Sequence, residues 1–413
     1  MRVAFLPGEF PMLSETPVLN QITGLVARGH EVDIFGDRPR AGPYHPSIDS
    51  FKLRDHAWYR PDLPATTWAR WRRAWQLYAE AAPESRGPLL RSMNFLRFGT
   101  RAATGRLPLQ TAQFLPPRRF DIIQAGFGEQ GLKALRMLKV GAISGPLVTA
   151  FRGADLTRFV RSRGNRVYAG LFQAGDRFLP VCQTFAVRLA RMGCPPERIV
   201  VHRTGIDVAR FAFEPRRPSD RLALISIGRL TEKKGLHDAI AAFAALRQSG
   251  AAADYTIVGD GPERAALETQ ARDLGVADSL YFAGAVPQQQ VLERLSRSDV
   301  LMAPSVTATD GDEEGIPNVL KEAMAAGVLV VSTRHSGIPE LVEDGETGFL
   351  VAEHDVPGLV GKLKLIGGRP DVWAGIQVAA RRRVEAEYDI ERLNDQLVSL
   401  YQNLLRYHSP SIP

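Results

Sequence analysis

Two tandem α/β domains, each a doubly wound parallel sheet, are the fold class this sequence predicts, and three observations predict it. Short apolar runs alternate with helical stretches along the whole chain, the pattern of parallel strands joined by crossover helices. At 413 residues the chain is too long for one ordinary core. A polar, proline-bearing stretch at 213–220 separates two such series and reads as a linker.

The first series places strands at 3–6, 32–35, 121–124, 147–151, 177–181 and 199–202. The second places them at 222–227, 254–258, 280–283, 300–303, 328–332 and 349–351. Each half is expected to be Rossmann-like, over 1–205 and 206–385. A closing segment, 386–413, carries Leu393, Leu397, Leu400, Tyr401 and Leu404 at helical spacing, so a helix packed on a domain surface is expected there. Two such sheets imply a cleft between them, with the chemistry on loops beyond the carboxyl ends of the strands.

With 45% hydrophobic and 23% charged residues the chain reads as globular. No apolar stretch approaches the ~20 residues that span a bilayer. Met1–Pro7 reads as a strand and not as a secretion signal, and Cys182 and Cys194 have no metal or redox spacing. A cytoplasmic protein is expected. The net charge of +7 is uneven: residues 52–119 hold 13 basic against four acidic side chains, interleaved with Trp58, Trp68, Trp71, Trp75 and Phe95. Three readings of this insertion compete. It suits an anionic membrane face; it could be a helical excursion whose aromatic residues pack inward; nucleic acid is the third, but no reading motif accompanies the charge.

Residues 310–327, Asp-Gly-Asp-Glu-Glu-Gly-Ile-Pro-Asn-Val-Leu-Lys-Glu-Ala-Met-Ala-Ala-Gly, carry the first chemical signal. Pro317 suits the first position of a helix and Gly327 its stop, with Glu314 before the start and Glu322 about two turns in. The amides of Gly315, Ile316 and Asn318 then lie at the positive end of the helix dipole, fit for a polyhydroxylated or anionic ligand. The plain alternative is a solvated acidic cap. A calcium loop fails, because the twelfth position is Lys321 and not a bidentate glutamate.

The second signal follows the strand at 222–227. Gly228 allows close approach to a ligand, Arg229 can fork two phosphate oxygens and Lys234 adds a point charge, as a departing diphosphate requires. Alone it could be a basic loop capping a sheet; beside Glu314 it gains meaning. Gly259-Asp260-Gly261-Pro262 lacks the third glycine of a dinucleotide fingerprint, which argues against an NAD-dependent oxidoreductase.

Together, Gly228-Arg229-Leu230, Lys234-Gly235, Gly259-Asp260-Gly261-Pro262, Glu314 and Glu322 resemble glycosyltransferase family 4, retaining enzymes of GT-B fold. Ser14-Glu15-Thr16-Pro17, Gly153-Ala154-Asp155, Met192-Gly193-Cys194-Pro195 and His335-Ser336-Gly337-Ile338-Pro339-Glu340 look like its bacterial exopolysaccharide branch, the colanic acid type. The resemblance covers most of the chain and is poor over about 40–120. It implies that Arg229 and Lys234 hold a donor diphosphate, that Glu322 holds the ribose, and that Glu314 with the amides of Gly315, Ile316 and Asn318 holds the donor sugar. Gly8, in a loop without the family's paired glycines, would face the phosphates. Where the family often has a histidine before Gly-x-Asp, this chain has Arg152, which stays charged and cannot carry a proton. It would assist by charge, or else pair with Asp155. His335, on a loop, reads as a hydrogen-bonded surface residue.

The expected partners are a UDP-sugar, a saccharide or polyprenyl-linked saccharide acceptor and the inner membrane face, with no nucleic acid. No cofactor or metal is expected, because Arg229 and Lys234 supply the positive charge. The rival enzymes on this scaffold are a nucleotide-sugar hydrolase or epimerase and a sugar phosphorylase. A non-catalytic nucleotide-sugar-binding partner is the rival of another class.

Overall fold

The structure is a computed structural model that describes residues 1–11, 16–39, 44–216 and 219–408. Ser14 and Glu15, part of one motif quoted above, lie outside the described residues, as do 217–218 of the linker and 409–413 of the closing segment. Two six-stranded parallel sheets dominate. The first contains β1 (Arg2–Gly8), β2 (Glu31–Gly36), β3 (Ala57–Tyr59), β4 (Ile122–Ala125), β5 (Leu147–Phe151) and β6 (Arg177–Pro180) in the order β3-β2-β1-β4-β5-β6. The second contains β7 (Leu222–Ile227), β8 (Ala253–Val258), β9 (Leu280–Gly284), β10 (Val300–Ala303), β11 (Leu329–Thr333) and β12 (Phe349–Val351) in the order β9-β8-β7-β10-β11-β12. Both orders are that of a dinucleotide-type Rossmann sheet, with the topological switch between the first and fourth strands.

The inner strands read as apolar runs because helices cover both faces. Every residue of β4, β5 and β11 is buried. The expected strand at 199–202 is absent as an element. Val200 and His202 donate to the carbonyls of Phe178 and Pro180 at 2.9 Å each, but a single bridge, Phe178 with Ile199, is all the pairing that forms before the chain leaves for the other half. The sheet is instead extended at its far edge by β3, inside the basic insertion.

That insertion is mostly helical, with Thr67–Glu80, Pro83–Ser92 and Arg106–Ala112 as its longer helices. Arg70 glues it from within, donating to the carbonyls of Pro64, Ala65 and Thr104 at 3.0, 2.8 and 2.7 Å. Its aromatic residues do not all turn inward. Trp71 donates to Ala103, but Trp68 is 72% exposed, Trp75 53%, Phe95 60% and Leu96 86%. No helix among the described residues is long and apolar enough to cross a membrane.

The chain passes between the sheets twice, and the passages lie side by side. Ile206 donates to Tyr388 at 3.0 Å and Ile390 donates back to Ile206 at 2.9 Å. The start of the predicted linker stays on the second half: Arg381 donates to the carbonyl of Phe211, just before it, at 2.9 Å and lies over the Phe213 ring. The last helix, Ile390–His408, then packs on the first sheet. Arg28 bonds Glu391 and Asp395, and the Tyr401 hydroxyl donates to Gln124 at 2.8 Å inside the core. Leu397 is fully buried in the same apolar cluster as Val3, Phe5 and Leu25. Leu397→Ala should therefore cost roughly 2–5 kcal/mol, read as a lower urea midpoint for the first half.

Candidate active site

The loops that follow β7, β8, β10 and β11 converge at the carboxyl edge of the second sheet. Their backbones interlock so closely that side chains would not fit. A Cβ on Gly259 would stand 1.8 Å from the Gly228 carbonyl oxygen, and one on Gly235 would stand 1.9 Å from that of Pro304. Both glycines also have positive φ, +135° and +62°. Gly228 (φ +152°) lies against the Lys234 side chain, and the two line a narrow cavity with Ser226, Ser305, Pro317 and Val319.

Into this corner the β10 loop brings Glu314. Its carboxylate lies 3.1 Å from Lys234 Nζ and 3.4 Å from Lys233 Nζ, and Lys233 also reaches Asp312 at 3.1 Å. Burial alone would raise the Glu314 pKa, but Lys234 and Lys233 outweigh it and hold it at about 2. Burial likewise opposes the charge of Lys233, yet Glu314 and Asp312 raise its pKa. Arg229, on the same loop as Lys233 and Lys234, is exposed and makes no ion pair among the described residues. Of the acidic and cationic residues singled out in the sequence, Glu314 and Lys234 thus meet; Lys233 joins them unannounced.

The helix begins at Asn318, so Pro317 is its N-cap residue and not its first residue, and Glu322 sits about one turn in rather than two. The amides of Gly315, Ile316 and Asn318 donate no hydrogen bond among the described residues. Glu322 is largely buried, which raises its pKa against the pull of neighbouring Lys321 and Arg210. Lys321 itself is fully buried and donates to Asn318 Oδ1 (2.8 Å), the Thr204 carbonyl (2.7 Å) and the Thr204 hydroxyl (2.8 Å). It ties this helix to the passage between the halves. Burial drives its pKa down to about 7 despite Glu322.

The first half closes the crevice from the other side. Arg188 forks Glu313 at 2.8 and 3.0 Å, Arg158 lies 3.6 Å from Asp310, and a Cβ on Gly315 would stand 3.2 Å from the Arg152 carbonyl oxygen. The Arg152 guanidinium donates to Gln21 (2.8 Å) and the Gly126 carbonyl (3.0 Å), while the Asp155 carboxylate accepts the amides of Gly128, Arg152 and Gly153. Glu340 of the β11 loop accepts the amides of Gln183 and Thr184, at the N-terminus of the helix Gln183–Arg191. Gly8 (φ +99°) lies on the wall of a second cleft of about 410 Å³, with Asp37, Phe127, Glu129, Arg158 and Phe159. Asp37 is held there by the buried Lys133 at 2.8 Å and by Gln130 at 3.2 Å.

His335 corrects an expectation. It is 1% exposed and not a surface residue. Its Nε2 accepts the Glu314 amide at 3.1 Å, and its Nδ1 lies 2.6 Å from Glu353 Oε1.

A carboxyl held below its unfolded value favours folding above that value and loses the effect as pH falls towards the folded one. For Glu314 the window runs from its ordinary 4.5 down to about 2, worth roughly 3 kcal/mol in full. Urea unfolding from neutral pH to about pH 3 should show wild-type stability falling more steeply than that of Glu314→Gln; parallel curves would deny the pairing.

Comparison with known proteins places this geometry among relatives. Residues 14–210 match the family described as Glycosyltransferase Family 4, and residues 207–367 match Glycosyl transferases group 1. The chain is 38% identical to a putative colanic acid biosynthesis glycosyltransferase of Salmonella typhimurium, over 98% of this chain and 100% of that protein. It is 35% identical to the amylovoran biosynthesis glycosyltransferase of Erwinia amylovora, again over 98% and 100%. Among solved structures, Anabaena HepE in complex with UDP-glucose superposes with a TM-score of 0.70 at 18% identity, over 98% of this chain and 100% of that one.

Proposed function

The chain belongs to glycosyltransferase family 4 as a GT-B glycosyltransferase of exopolysaccharide biosynthesis, and on that premise we propose a retaining hexosyltransferase that takes its sugar from a nucleotide diphosphate. UDP is the nucleotide in this reading, as in the HepE complex. The observation that carries it is the 3.1 Å approach of Lys234 to Glu314 at the switch point of the second sheet. One ammonium lies where it can serve both a diphosphate and the carboxylate that grips the sugar.

The roles follow from position. Arg229 and Lys234 hold the diphosphate, and Gly228 lets it come close. Glu314 and the amides of Gly315, Ile316 and Asn318 hold the hexose, Glu322 holds the ribose, and Gly8 backs the phosphates from the first half. The bond from the anomeric carbon to the β-phosphate oxygen breaks while the acceptor oxygen bonds the same face. The acceptor's proton passes to the departing phosphate, so no protein base is needed. Charge growing on that phosphate meets Arg229 and Lys234, with Arg152 adding a fixed positive charge from the first half, where its guanidinium is held by Gln21 and the Gly126 carbonyl. In this assignment 206–385 is the donor half and 1–205 the acceptor half, with the acceptor in the cleft bounded by Phe127 and Phe159.

Arg229→Ala and Lys234→Ala should each lower UDP release in a nucleotide-sugar panel with membrane extract by roughly 10²–10³, with both variants still folded by circular dichroism and only Lys234→Ala, which strips a partner from Glu314, unfolding at a lower temperature. Near-normal turnover of the Arg229 variant would contradict the diphosphate role, and free sugar released without acceptor would favour a hydrolase.

We further propose that the enzyme works on the cytoplasmic membrane face, where a polyprenyl-linked acceptor would lie. On the helix Thr67–Glu80 the exposed Trp68, Arg72 and Trp75 share one face, with Phe95 and Leu96 exposed nearby in sequence. Apolar rings with arginines suit anionic headgroups. The protein should sediment with phosphatidylglycerol vesicles and not with phosphatidylcholine alone. Trp68→Ala combined with Trp75→Ala should weaken that binding roughly tenfold, about 1.4 kcal/mol; equal sedimentation with both lipids, or none, would contradict this placement.

A further inference from the structure

We infer that His335 is a positioning residue for transfer: it bolts the Glu314 loop in place through Glu353 and does not itself touch the donor. The inference rests on the reading of Glu314 as the group that holds the donor sugar.

The chemistry of the three groups leaves one arrangement. A main-chain amide can only donate, so His335 Nε2, 3.1 Å from the Glu314 nitrogen, must present a lone pair. The ring proton is then on Nδ1 and points at Glu353 Oε1, 2.6 Å away. The other Glu353 oxygen accepts the amide of Thr307 at 2.8 Å. Thr307 and Glu314 both lie in the loop 304–317 that follows β10. One carboxylate–imidazole pair therefore fastens that loop at two points, and Glu232 holds it between them, accepting Thr309 N at 3.0 Å and Thr309 Oγ1 at 2.9 Å. Glu232 comes from the loop after β7, so the fastening joins the loops that carry Lys234 and Glu314.

The turn that presents His335 is itself held. Ser336 has φ +47°, a left-handed conformation that a side chain disfavours. Its carbonyl accepts the Thr184 hydroxyl of the first half at 3.1 Å. A residue needed only to fill this space would do so as well with an apolar side chain. A buried imidazole with a bond at each nitrogen instead fixes a direction. Without it the Glu314 amide loses its acceptor, and its carboxylate, already between two lysines, is free to settle over the diphosphate position.

The test compares His335→Ala, His335→Gln and Glu353→Ala, with UDP binding by calorimetry and amide exchange at Glu314 as readouts independent of turnover. His335→Ala should lower kcat for sugar transfer roughly 10²-fold, the scale of an ångström-sized misplacement. UDP affinity should stay within about twofold, and exchange at the Glu314 amide should quicken. His335→Gln, which keeps an acceptor for that amide, should recover most of kcat, and the His335/Glu353 double alanine variant should be no worse than either single one. Wild-type kcat in His335→Ala would overturn the inference, as would equal loss of transfer and UDP affinity in both the Ala and Gln variants. If the wild-type protein transfers no sugar from any nucleotide, the proposed function fails. The exchange readout then still decides whether His335 holds the loop: faster exchange supports it, unchanged exchange overturns it.

Discussion

The ion cluster of Glu314 with Lys233 and Lys234 is the interaction on which the rest of the crevice depends. Its partners come from loops after different strands, β7 and β10, which are neighbours only because the sheet order reverses between them. The backbones beneath permit the meeting. Gly259 against Gly228 and Gly235 against Pro304 leave no room for a Cβ, so the loops nest and their charged side chains emerge on one side. A lone carboxylate buried there would be driven towards its neutral form; between two ammonium groups it stays an anion. Coulomb attraction thus maintains a charged carboxylate where water is scarce.

The two halves are joined by contacts that converge on the same loops. Glu313 takes Arg188, Glu340 takes the amides that open the helix Gln183–Arg191, and Lys321 runs from the helix Asn318–Ala326 to Thr204. Apolar packing is continuous across the passage, where Cys182 and Phe185 of the first half meet Ile316 and Ile338 of the second. The last helix returns to the first sheet and seals it through Leu397 and Tyr401. The crevice is therefore set by the relation of the halves as much as by either sheet. Lys321, a buried ammonium amid neutral acceptors, is a costly way to join them, unlike the apolar contacts beside it.

Much of this was legible in the residues. The strands Leu147–Phe151, Leu222–Ile227, Val300–Ala303 and Phe349–Val351 have the bounds the apolar runs suggested, because strands covered on both faces must be apolar throughout. Ala57–Tyr59 was invisible: three half-exposed edge residues carry no period. The glutamates and the Arg229–Lys234 pair could be read because their spacing is local. His335 could not, since its meaning lies in Glu353, eighteen residues on and across a loop, and in a main-chain amide that no sequence displays. Asp37 and Lys133 are 96 residues apart and meet only through sheet topology. Local chemistry shows in a sequence; partnerships made by topology do not.

The most direct measurement is a crystal structure of the protein grown with UDP-hexose. The account requires the β-phosphate within about 3 Å of Lys234 Nζ, with Arg229 turned onto it and the hexose hydroxyls at hydrogen-bonding distance from Glu314. A nucleotide bound elsewhere, with Lys234 and Glu314 still closed on each other, would contradict it.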